Sequence, residues 1–123
     1  MAKILIVDDE IGICEEFRDV LEEDNHKVDF ATNGQEAIRK IQEQEFDLVF
    51  LDVLMPRMEG REVLEEVKKI SRVPVAIISG YMPPNKEKDV MALGAVACFK
   101  KPLELKKIRD LVSFIESQKT TRE

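Results

Sequence analysis

Short apolar runs of strand length alternate with longer amphipathic stretches along this chain, and that alternation constrains its fold more than any other feature. A run of four apolar residues is short for a helix, and without a polar face it suits a strand buried on both sides. Ile4–Val7, Val28–Ala31, Leu48–Leu51, Val75–Ile78 and Ala97–Phe99 are the predicted strands. Helical spacing marks the segments between them. Cys14, Phe17 and Leu21 predict a first helix from near Ile11, and Ala37, Ile38 and Ile41 a second over Gln35–Gln44, after the turn Thr32-Asn33-Gly34. Val63, Leu64, Val67 and Ile70 predict a third over Arg61–Ile70. A shorter fourth spans Asn85–Leu93, with Gly94 where a left-handed C-terminal cap belongs. The last starts near Glu104, carries Leu105, Ile108, Leu111, Val112 and Ile115, and is expected to fray from Lys119. Strands alternating with helices predict an α/β fold with a parallel sheet covered on both faces.

At 123 residues the chain has the length of one domain, assigned here to 1–118 with a polar tail at 119–123. Its 44% hydrophobic and 36% charged composition suits a folded globular domain. A net charge of −6 repels nucleic-acid phosphates, so direct DNA binding is not expected. The opening residues lack the pattern of a signal peptide and the apolar runs are too short to span a membrane, so no membrane association and a cytoplasmic location are expected. Cys14 and Cys98 have no CxxC spacing and are read as reduced, partly buried thiols.

In open α/β sheets, ligands bind beyond the carboxyl ends of the strands. Asp8 and Asp9, Asp52, Ser79 and Lys101 fall there, after strands one, three, four and five. Three carboxylates so gathered resist ionising together unless a cation sits among them, and all-oxygen donors point to Mg²⁺. Each piece alone has an ordinary reading: Asp8-Asp9 as a helix-start cap, Ser79-Gly80 as a turn, Lys101-Pro102 as nearly uninformative. The joint spacing argues for chemistry.

The motifs Ile4-Leu5-Ile6-Val7-Asp8-Asp9-Glu10 and Asp52-Val53-Leu54-Met55-Pro56-Arg57-Met58-Glu59-Gly60, followed by Ser79 and Lys101-Pro102, closely resemble the receiver domains of bacterial response regulators. The resemblance implies a flavodoxin-like (βα)5 three-layer sandwich with a five-stranded parallel sheet of order 2-1-3-4-5. It implies that Asp52 attacks a phosphoryl donor to form an aspartyl phosphate in a Mg²⁺-dependent reaction. By the same resemblance Asp9, Asp52 and the backbone carbonyl of Leu54 bind the metal, with Asp8 acting mainly through water. Ser79 and Lys101 hold phosphoryl oxygens, and a cis Lys101-Pro102 bond is expected to aim the ammonium. The implied donor is a histidine kinase or phosphotransfer protein, and the implied listener a downstream protein target. His26, the only histidine, lies away from these strand ends and is read as a solvated loop residue.

The chain also departs from this family. Where many receivers carry a switching Tyr or Phe, three positions before the lysine, it has Cys98; Phe99 should face the other side of the strand. Leu54, two after the nucleophile, and Tyr81, two after Ser79, are expected to tune dephosphorylation, making it slow. Ile13 lies about 80° off the first helix's buried stripe and is expected to stay exposed for partner docking, and Pro102 is a second docking candidate. A phosphorelay intermediate and a receiver excised from a longer regulator remain open alternatives. A haloacid-dehalogenase-like phosphatase is disfavoured, because Leu54 stands where its second Asp belongs. An enzyme turning over external substrates is not expected. A flavodoxin-type cofactor binder would want a phosphate loop where the acidic Asp8-Asp9-Glu10 stands.

Overall fold

A computed structural model describes residues 1–53 and 60–122, with side chains described through residue 118. The strands are β1 Lys3–Val7, β2 Lys27–Ala31, β3 Leu48–Asp52, β4 Val75–Ser79 and β5 Ala97–Lys100. All pair in parallel, in the order β2-β1-β3-β4-β5. Between and after them lie α1 Ile11–Glu23, α2 Gly34–Glu43, α3 Gly60–Ile70, α4 Pro84–Ala92 and α5 Leu105–Arg122. This is the flavodoxin-like arrangement, with element bounds close to those expected. Among the described residues, no helix is long and apolar enough to cross a membrane.

Alternation along each strand divides the core in two. Leu5, Val7, Val49, Leu51 and Ile77 face Ala37, Ile41, Val63, Leu64, Val67 and Val90 on α2, α3 and α4. Ile4, Ile6, Phe50 and Ile78 face the other way, against Cys14, Phe17 and Leu21 of α1 and Ile108, Val112 and Ile115 of α5. The central strands β3 and β4 are buried at every position, which is why their sequences read as unbroken apolar runs. The edge strands β2 and β5 are only partly covered and contain Lys27, Asp29 and Lys100.

Local chemistry sets the helix ends. The Asn33 side chain accepts the Glu36 N–H at 2.8 Å, while the Glu36 carboxylate accepts the Thr32 N–H at 3.0 Å, closing a capping-box-like start for α2. Gly94 follows α4 with φ of 104°, the left-handed conformation anticipated for it. α5 differs from expectation: it remains helical through Arg122 rather than fraying at Lys119. Its apolar stripe does end at Ile115, but Gln, Lys and Arg are good helix formers and Ser117 Oγ donates to the Phe114 carbonyl at 2.9 Å.

His26 also departs from its expected solvated state and is buried. β1 and β2 start side by side at Lys3 and Lys27, so the residue before each is covered. Nδ1 of His26 accepts the Ala2 N–H at 3.1 Å, and Nε2 lies 3.9 Å from a Glu116 carboxylate oxygen on α5.

Candidate functional site

The carboxyl ends of β1, β3, β4 and β5 gather most of the singled-out polar residues. Asp8 follows β1 and is fully buried. Its backbone N–H donates to the Ala31 carbonyl at 3.0 Å, and its side chain accepts the Glu10 N–H at 3.0 Å. Asp52 ends β3 and is 2% exposed. Lys101, just beyond β5, reaches both: Nζ donates to Asp8 Oδ2 at 2.9 Å and to Asp52 Oδ2 at 3.1 Å. A third carboxylate, Glu10, lies 3.7 Å from the same ammonium. Burial works against the charge on Lys101, but hydrogen bonds and attraction from Asp8 and Asp52 outweigh it and hold the lysine above its ordinary range. The Lys101-Pro102 peptide is cis, as expected.

Oxygens of Asp8, Asp9 and Glu10 all lie within 4.8 Å of one another. Three carboxylates, Asp8, Glu10 and Asp52, lie within 3.7 Å of the Lys101 ammonium, and Asp9 joins Asp8 and Glu10 beside them; Asp8 and Asp52 are buried. Such a surplus of hard, anionic oxygen suits a divalent cation such as Mg²⁺ or Ca²⁺. Glu10 was missed as a member of this group, although its place in the acidic run beside Asp9 signals it. Leu54, expected to offer a carbonyl to the metal and to tune dephosphorylation, lies outside the described residues.

Ser79 ends β4 and is buried. Its hydroxyl donates to the Tyr81 carbonyl at 2.8 Å and accepts the Tyr81 N–H at 3.1 Å. Tyr81 is 69% exposed, and its main chain engages the strand-end hydroxyl. Backbone pairing holds the strand ends together: the Lys101 N–H donates to the Ser79 carbonyl at 2.9 Å, and the Val53 N–H to the Ile78 carbonyl at 3.3 Å.

Cys98 packs on the α2–α4 side of the sheet and Phe99 on the other, where its ring centroid is 6.4 Å from that of Phe50. Burial, aided by Glu87, pushes the Cys98 thiol up. Burial and the Asp8 charge push Cys14 to about 11. Both are free thiols. Ile13 is not the exposed residue expected but is half-buried, because it packs against the core cluster on the α1–α5 side of the sheet. It lines a groove of about 540 Å³ with Phe17, Pro102, Leu103, Leu105 and Ile108, and Lys101 stands at its margin.

Comparison with known proteins adds an independent line. Residues 4–113 match the response regulator receiver domain family. The transcriptional regulatory protein CpxR homolog of Haemophilus influenzae is 37% identical over 95% of this chain, which spans 50% of that relative. Sporulation initiation phosphotransferase F of Bacillus subtilis is 35% identical over 89% of this chain, which spans 90% of it. Against several regulatory relatives, then, the chain covers half of their length or less. A response regulator receiver domain protein from Clostridium thermocellum superposes with a TM-score of 0.91 at 28% identity, covering 100% of both chains. Chemotaxis protein CheY4 of Vibrio cholerae superposes with a TM-score of 0.85 at 30% identity, over 94% of this chain and 98% of its own. With a sheet ordered 2-1-3-4-5 and acidic strand ends bridged by a lysine, the chain belongs to the response regulator receiver domain family.

Proposed function

We propose that Asp52 is the phosphoacceptor of this receiver domain. The observation that carries the proposal is the half-buried ammonium of Lys101, hydrogen-bonded at once to Asp8 and Asp52 at the strand ends. A carboxylate needs no base to become a nucleophile. An Asp52 oxygen attacks phosphorus in line, the new O–P bond forms as the bond to the donor breaks, and the leaving group keeps that electron pair. Receiver domains take the group from histidine kinases or phosphotransfer proteins, and one of these is the proposed donor here. Mg²⁺, generally used by the family, would be held by Asp9, Asp52 and the Leu54 carbonyl, with Asp8 through water, and supplies positive charge against the phosphoryl oxygens.

Lys101 then exchanges a carboxylate partner for a phosphoryl oxygen and carries its charge at neutral pH. Ser79 has a comparable exchange to make. To donate to the phosphoryl group its hydroxyl must give up the Tyr81 carbonyl, so modification at Asp52 loosens the turn leading into α4. Signalling follows as a shift between two states read by a downstream protein, with no turnover of an external substrate. Leu54 and Tyr81 are the positions proposed to set a slow loss of the phosphoryl group, and Ile13 and Pro102 the contacts for the donor protein. Residues 1–118 form the proposed receiver unit. The −6 charge supports a protein rather than DNA as direct partner, and the cytoplasm is the proposed location.

A phosphorelay intermediate is the second reading, supported by 35% identity to sporulation initiation phosphotransferase F, of which this chain spans 90%. Intact-mass spectrometry after incubation with acetyl phosphate and Mg²⁺ tests the acceptor. One phosphoryl adduct is expected in the wild type, and none in Asp52→Ala or after chelation. An undiminished adduct in Asp52→Ala would reject Asp52.

A further inference from the structure

α4 is the most thinly anchored helix of this fold. It buries only Val90, whereas α1 buries Cys14, Phe17 and Leu21, and α3 buries Gly60, Val63, Leu64 and Val67. α5 is anchored by Ile108, Val112 and Ile115 and by Arg109, whose Nε donates to Asp24 at 2.9 Å. Beside Val90, Asp89 accepts Arg61 Nε–H at 2.6 Å, while the same guanidinium donates to Glu65 at 2.5 Å. One planar cation therefore braces α3 along its own axis and ties it to α4.

Arg61 also stands close to the site in the chain and in space. The preceding residue, Gly60, donates its N–H to the Val53 carbonyl at 3.3 Å, and Val53 follows Asp52. The approach has no slack: a Cβ on Gly60 would lie 2.3 Å from Val53 Cα and 2.9 Å from the Asp52 carbonyl oxygen. Displacing the backbone at Asp52 and Val53 displaces the start of α3, and Arg61 with it. The far end of that side chain holds the helix least able to keep its place by burial.

We infer that the Arg61–Asp89 ion pair is a latch coupling the phosphorylation state of Asp52 to the position of α4. The inference rests on Asp52 as phosphoacceptor. Arg61 acts as a positioning residue, without touching the reacting atoms. Both partners are about two-fifths exposed. The latch therefore biases α4 by a modest factor, enough to shift an equilibrium between close-lying states.

Hydrogen exchange of the α4 amides tests this in the full chain with Mg²⁺, with and without acetyl phosphate, for wild type, Arg61→Gln, Asp89→Asn and the double variant. Intact mass records the Asp52 adduct in each sample, and exchange in α1 controls for global unfolding. Without acetyl phosphate, each single variant should exchange in α4 about threefold to fivefold faster than wild type, the upper part of what an exposed pair contributes, and the double variant no faster than either single. Phosphorylation should raise α4 exchange in wild type and add little in the variants. An adduct on Asp52 with equal phosphorylation responses in wild type and variants, or single-variant effects that add, overturns the latch alone. No adduct on wild-type Asp52 overturns the phosphoacceptor reading, and the latch with it.

Discussion

Lys101 is the residue on which the electrostatics of the site turn. Its side chain is 16% exposed and offsets part of the charge of Asp8 and Asp52, which are almost wholly buried. Removing one member of a buried ion cluster leaves the others uncompensated. Lys101→Met is therefore expected to lose about 3 kcal/mol of stability at neutral pH without divalent cations. Added Mg²⁺ should restore part of that loss, read as a larger Mg²⁺-induced rise in Tm than in wild type. The lysine also predicts an alkaline limb. Its folded value lies above the ordinary 10.5, so its contribution is complete below 10.5 and is lost as pH rises through the higher folded value. Urea titrations across that window should show wild-type stability falling with pH more steeply than that of Lys101→Met. Equal slopes would mean that the ammonium is not stabilised by its carboxylate partners.

At the scale of elements, two glycines do different work. Gly94 closes α4 at φ of 104°, where a side chain is strained whatever the space around it. Gly94→Ala should cost about 1–2 kcal/mol in urea unfolding and leave the proposed phosphorylation of Asp52 intact. Gly60, by contrast, starts α3 against the Val53 backbone with no room for a methyl group. Gly60→Ala must move that helix start or the Val53 segment, so reduced acceptance of phosphoryl groups from acetyl phosphate is expected alongside lost stability. Retention of full phosphorylation in that variant would show that α3 can shift without disturbing Asp52. Elsewhere the strands follow directly from composition, since unbroken apolar runs can be buried on both faces. α5 runs past its apolar stripe because helix propensity persists where burial ends.

Across the whole molecule, the sheet joins two cores whose meeting plane ends in the acidic site. Phe50 is fully buried on β3, with ring centroids of Phe17 5.0 Å and Phe99 6.4 Å away. Phe50→Ala should cost about 3–5 kcal/mol, measured as a lower urea midpoint with an unchanged slope. A loss under 1 kcal/mol would mean that α1 and α5 collapse readily into the vacated space. The fold distributes its anchoring unevenly: α1 and α5 are packed and tied, while α4 is held by one buried side chain and an ion pair. That inequality makes α4 the helix that the proposed phosphorylation of Asp52 is expected to move most.

The amino-acid sequence by itself determined the alternation of strands and helices and the polar residues at their carboxyl ends. Both are consequences of local backbone geometry, because a period of two or 3.6 residues is written into neighbouring positions. That Asp8, Asp52, Ser79 and Lys101 fall at strand ends was legible for that reason, and the resemblance of their motifs is the source of the chemistry proposed for them. Only the tertiary structure decided that His26 is buried against Ala2, that Ile13 is half-buried against the α1–α5 core, and that Ser79 is engaged by the Tyr81 main chain. It also decided that Arg61 reaches Asp89. Contacts such as His26 with Ala2 and Arg61 with Asp89 join residues far apart in the chain, and they exist because sheet order and helix packing bring distant backbones together, which no local period encodes.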